Sequence, residues 1–121
     1  MILVVDDDPD FLLLTERFLR MEEVMFASDA KHALSLLSSL GDEEFSVALV
    51  DLNLTGESGF ELISKLKAAF PRLPVIAISG YYLGAGLESA RSIGAVATLA
   101  KPITREWNAV VNRYSTRRRS A

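Results

Sequence analysis

Short, unbroken apolar runs set the architecture of this chain: Ile2 to Val5, Val47 to Val50 and Val75 to Ile78, with a weaker fourth at Val96 to Ala100 and a fifth at Val24 to Ala27. They are rich in β-branched residues and do not alternate with polar ones, which predicts strands covered on both faces, as in a parallel sheet. Between them lie stripes at helical spacing. Asp8 followed by Pro9 reads as N-cap and first helical residue of a helix running to about Met21, with Phe11, Leu14, Phe18 and Met21 inward. Ala30, Ala33, Leu34, Leu37 and Leu40 mark a second helix, capped by Asp29 and stopped by Gly41. Ser58 or Gly59 opens a third, with Leu62, Ile63, Leu66 and Phe70 inward before Pro71. A fourth spans Gly84 to Ile93 and ends at Gly94, weakened by Gly84 and Gly86. Ile103, Trp107, Val110, Val111 and Tyr114 give the fifth. Strand then helix, five times over with right-handed crossovers, predicts a doubly wound α/β fold whose five parallel strands lie in the order 2-1-3-4-5.

Length and composition agree. The 121 residues fit one domain, taken as residues 1–114, with a basic tail over 115–121. The net charge of −3 gives no reason to expect direct nucleic-acid binding. No cysteine is present, which excludes disulfides, zinc–thiolate sites and thiol catalysis. No apolar run approaches a membrane span, and the first residues lack a basic signal-peptide region. A cytoplasmic domain is expected.

In such a sheet, ligands bind beyond the carboxyl ends of the strands. The first strand ends in Asp6 and Asp7, the third in Asp51 followed by Leu52 and Asn53, the fourth in Ser79, and the fifth in Lys101 before Pro102. Three carboxylates on one rim repel one another, and a hard divalent cation such as Mg²⁺ relieves that. The lysine suits a phosphate oxygen and the serine can donate a hydrogen bond to another. This set of groups describes phosphoryl transfer, with a carboxylate as nucleophile. Asp8 reads only as a helix cap, and His32, off the apolar stripe, as an exposed residue.

The segments "ILVVDDDP", "VALVDLNLTGESGFEL", "PVIAISG" and "GAVATLAKPI" resemble, in order and spacing across the whole chain, the receiver domain of two-component response regulators. That resemblance implies a flavodoxin-like receiver fold. Asp51 would be the phosphoacceptor, served by a histidine kinase or a histidine phosphotransfer protein. Asp6 and Asp7 would position Mg²⁺, Asp7 directly and Asp6 mainly through water. Asp51 and the backbone carbonyl of Asn53 would complete the metal site. Ser79 would be the switch hydroxyl and Lys101 would pair with the phosphoryl oxygens, its bond to Pro102 often being cis in the family. Phosphorylation would alter partner binding on the face built from strand 4, helix 4, strand 5 and helix 5. The output protein or domain is left open, and a homodimer formed on phosphorylation is expected. The chain would not be an enzyme beyond catalysing its own phosphorylation and dephosphorylation.

Departures from the family pattern are local. Ser79 stands where Thr is commoner, Thr55 where Pro is frequent, and Thr98 where an aromatic usually turns inward on activation. Tyr81, Tyr82 and Trp107 are the aromatics at hand to replace it, and "RMEEVMFAS" lacks the usual Gly before strand 2. Two rival readings stand beside the switch. One is a Mg²⁺-dependent phosphatase working through an aspartyl phosphate, although "DLNLT" lacks the second acid of the D-x-D-x-T nucleophile motif. The other is a receiver-like or flavodoxin-like binding module acting without phosphorylation, although "DDDPDF" would repel a flavin phosphate.

Overall fold

The computed structural model describes the backbone of residues 1–20, 22–54, 56–80 and 85–116, with side chains for all of these but 85–87. Five parallel strands lie in the order β2-β1-β3-β4-β5: β1 (Ile2–Val5), β2 (Val24–Ala27), β3 (Val47–Asp51), β4 (Val75–Ser79) and β5 (Ala97–Ala100). The helices are α1 (Pro9–Phe18), α2 (Ala30–Leu40), α3 (Gly59–Ala69), α4 (Ala85–Ser92) and α5 (Trp107–Tyr114). The three central strands are buried along their whole length, and the edge strands β2 and β5 only in part. That is why the central runs are the most uniformly apolar.

Alternation along each strand builds two cores, one on each face of the sheet. Ile2, Val4, Val47, Leu49, Ile76 and Ile78 pack against Phe11, Leu19, Trp107 and Val111 of the α1–α5 layer. Leu3, Val5, Ala48, Val50, Val75 and Ala77 pack against Leu37, Leu62, Ile63, Leu66 and Ala90 of the α2–α4 layer.

Caps fall where the sequence predicts them. The Asp8 side chain accepts from the Asp10 amide, Asp29 from that of His32, and Ser58 from that of Glu61. Exposed His32 matches its reading. Gly94 leaves α4 at φ 126°, a region that favours glycine. Gly59 is demanded by packing instead: a Cβ there would run into the carbonyl of Asp51 and the Cα of Leu52. The first turn of α3 therefore rests directly on the end of β3.

Several boundaries differ from expectation. α1 ends at Phe18, because Leu19 turns to extended backbone and buries itself in the α1–α5 core. Its inward face is Phe11 and Thr15, while Leu14 is 40% exposed. Thr15 is polar yet fully buried, its hydroxyl donating to the carbonyl of Leu12 at 2.7 Å. Leu40, assigned to the apolar stripe of α2, is 44% exposed on its last turn. β5 begins at Ala97 rather than Val96, and Ile103 packs in the core ahead of α5 rather than within it. Ser115 and Thr116, assigned to the tail, are tied down: the Ser115 hydroxyl donates to Glu22, and the backbone and hydroxyl of Thr116 both donate to the carbonyl of Ser46. Met21, Thr55, Tyr81, Tyr82, Gly84 and the remaining tail, 117–121, lie outside the described residues.

Candidate functional site

Because all strands run the same way, their carboxyl ends share one rim. Asp51 is the last residue of β3 and continues the row of Val47 and Leu49. It pairs in register with Ile78, so Ser79 lies one step further along β4. Ser79 is fully buried, and its carbonyl accepts from the amide of Lys101 at 3.0 Å. It continues the row of Val75 and Ala77, which faces the other helical layer. The site thus draws groups from both faces of the sheet.

Asp6, Asp7 and Asp51 each offer a carboxylate oxygen, all within 4.8 Å of one another. Asp6 has no exposed surface. One of its oxygens accepts from the Asp8 amide at 2.9 Å. Lys101 Nζ pairs with its Oδ2 at 2.8 Å. Burial, seconded by the charge of Asp51, pushes the Asp6 carboxyl up to about 6 against the pull of Lys101 and the Asp8 amide. Asp51, 5% exposed, accepts from the Asn53 amide at 3.0 Å through Oδ1 and from Lys101 Nζ at 3.2 Å through Oδ2. Lys101 thus stands between two acids. Burial works to lower its pKa, but the pairing with Asp6 and Asp51 prevails and holds it above the usual lysine value. The Lys101–Pro102 peptide is cis.

These groups fit a hard divalent cation. Three oxygen donors converge, two of the three residues are buried, and among the described residues one shared ammonium is the counter-charge given to Asp6 and Asp51. Asp8 stays a cap, accepting from Asp10 outside this trio. Thr98 is half-buried on β5, opposite Ala77, and Trp107 is buried against Phe11.

Two residues at or behind the site escaped the sequence reading. Phe11 was assigned only to the core, yet its ring centroid lies 4.3 Å from Lys101 Nζ. Its place on the first turn after Asp8 was the available signal. Asn108 joins the two helices behind the site: Nδ2 donates to the Phe18 carbonyl at 2.8 Å and Oδ1 accepts from the Arg20 amide at 3.3 Å. No pattern in the sequence marks it.

The chain matches the model of the response regulator receiver domain over residues 2–108. It is 34% identical over 119 residues to the two-component response regulator ARR14 of Arabidopsis thaliana, covering 93% of this chain and 31% of that protein. It spans 31, 42 and 44% of the length of three such curated relatives, less than half of each. Among solved structures, a CheY-like receiver domain protein from Methanospirillum hungatei JF-1 superposes with a TM-score of 0.80 at 29% identity, over 93% of this chain and 89% of that one. A response regulator protein from Burkholderia pseudomallei, solved with a phosphorylated aspartic acid, calcium ion and citrate, gives 0.79 at 32% identity, over 95% and 66%. Receiver domains are the phosphorylation-switched signalling domains of two-component systems, and the family binds Mg²⁺ at an acidic pocket. With the strand order, the acidic rim and the match over nearly its whole length in agreement, this chain belongs to the response regulator receiver domain family.

Proposed function

We propose that this domain is a phosphorylation-activated switch that accepts a phosphoryl group on Asp51 from the phosphohistidine of a histidine kinase or a histidine phosphotransfer protein. The observation that carries this reading is the convergence of Asp6, Asp7 and Asp51 beside the ammonium of Lys101. The phosphorylated aspartic acid and calcium ion of the Burkholderia protein support it. A carboxylate oxygen of Asp51 attacks phosphorus, the P–N bond breaks, and the imidazole leaves with the electron pair and takes up a proton. Asp6, Asp7, Asp51 and the Asn53 carbonyl would hold Mg²⁺, which neutralises charge on the phosphoryl oxygens when bound.

Lys101 already lies against Asp51 and stays paired when the carboxylate, with one negative charge, becomes an acyl phosphate with about two. Ser79, at the end of the neighbouring strand, donates to a second phosphoryl oxygen. Each charge-assisted hydrogen bond contributes about 1.5–3 kcal/mol. A full swing of a two-state equilibrium takes about 5.5 kcal/mol; the new Ser79 bond supplies part of it, and the Lys101 pairing adds only the amount by which it strengthens on phosphorylation. The face formed by β4, α4, β5 and α5 carries the change to partners, including a second copy on phosphorylation. Family membership supports cytoplasmic placement and activity confined to the domain's own phosphorylation and dephosphorylation. No described helix is long and apolar enough to cross a membrane.

Acetyl phosphate with Mg²⁺ tests this reading. Intact-mass spectrometry is expected to find one added phosphoryl group on the wild type and none on Asp51→Asn. An unmodified wild type under conditions that label a known receiver would sink it.

A further inference from the structure

We propose that Phe11 is a positioning residue that holds the Lys101 ammonium at the acidic rim, with Trp107 fixing the ring. The inference rests on the role given above to Lys101. Among the described residues, three groups surround Nζ: Asp6 Oδ2 at 2.8 Å, Asp51 Oδ2 at 3.2 Å, and the Phe11 ring centroid at 4.3 Å. Phe11 is 4% exposed and packs against the Trp107 ring at 5.9 Å between centroids, tilted by 59°. Trp107 is itself 4% exposed, so the ring that meets Lys101 is backed by a buried neighbour on α5.

The chemistry of the contact suits a phosphoryl site. A ring face attracts a cation through its quadrupole but offers no lone pair. It therefore competes with neither carboxylate nor phosphoryl oxygen for the three N–H donors of the ammonium. Another acid or a carbonyl in that place would bind one donor and hold the ammonium back. Phe11 leaves all three donors to the acids and, after phosphorylation, to the phosphoryl group. Its own place on the first turn of α1 follows from the Asp8 cap, so the residue that begins the helix also sets where Lys101 stands.

The test replaces Phe11 with 4-fluoro-, 3,5-difluoro- and pentafluorophenylalanine, and separately by Phe11→Leu. The fluorinated rings keep nearly the same shape while the negative face fades. Labelling of Asp51 by acetyl phosphate at fixed Mg²⁺ is expected to slow in graded order, reaching about two- to thirtyfold for the full loss of the contact. Graded labelling in variants that remain folded is a pattern that a purely packing role would not give, because the fluorinated rings fill the same space. Equal labelling rates across well-folded variants would overturn the proposal. A second readout needs no phosphate. In the wild type the Lys101 Hε protons should show an upfield ring-current shift by NMR, lost in Phe11→Leu. Its absence from the wild type would also overturn the proposal. Failure of wild-type labelling would instead remove the acceptor reading and leave the NMR shift to decide the contact between Phe11 and Lys101.

Discussion

A carboxylate with no exposed surface, two acids beside it and a single shared ammonium defines the chemistry of Asp6. Its pKa rises from 3.8 to about 6, chiefly through burial. The folded chain therefore binds more protons at this residue than the unfolded chain does between those values. The stabilisation it confers is fully present below the unfolded value and is lost as pH rises through the folded one. Asp6→Asn lacks that dependence. Without divalent ions, wild type measured against Asp6→Asn is expected to lose on the order of 2 kcal/mol between pH 4 and pH 7. Urea unfolding of both proteins at the two pH values checks this, and a constant gap would contradict the buried-acid account. Asp6, Asp7, Asp51 and Lys101 were legible because each closes an apolar run, and the ends of parallel strands meet by topology. Phe11 was legible only as an apolar residue. Its ring faces a charge because of how α1 sits on the sheet, and periodicity carries no such information.

α1 and α5 are joined by a polar stitch as well as by packing. Asn108 caps the exposed end of α1 by donating to the Phe18 carbonyl and accepting from the Arg20 amide. Asn108→Ala leaves both groups without this partner, and a loss of about 1–2 kcal/mol is expected. Chemical denaturation checks the size, and faster amide exchange confined to the last turn of α1 checks the place. The strands were read well because continuous burial of β1, β3 and β4 leaves an unbroken apolar signature. α1 was read less well because its sequence allows two stripes. Leu14 completes one and Thr15 the other, and hydropathy favours leucine. Thr15 is buried instead because its hydroxyl bonds within its own helix and arrives in the core already satisfied. The early end of α1 was hidden for a related reason. Leu19 fits a helical stripe and a buried extended turn equally well, and tertiary packing selects the second.

Across the molecule, the sheet separates two kinds of work. Acids and the lysine gather at the carboxyl ends, where relief of the acids' repulsion is expected to make cation binding stabilise the whole fold. At neutral pH, Mg²⁺ near ten times its dissociation constant is expected to raise the melting temperature by about 3–8 °C. Asp7→Ala should lose most of that rise, and scanning calorimetry with and without Mg²⁺ measures both. The opposite rim holds ties instead: Ser46 donates to Glu22, as does Ser115, and Thr116 bonds back to Ser46. The two rims are separated by the length of a five-residue strand, about 15 Å. This polarity gives the domain a natural mounting direction for a biosensor. A surface linker attached through the exposed Glu43 would leave the acidic rim facing the liquid, so that any change of charge at that rim would be read at a fixed height above the electrode.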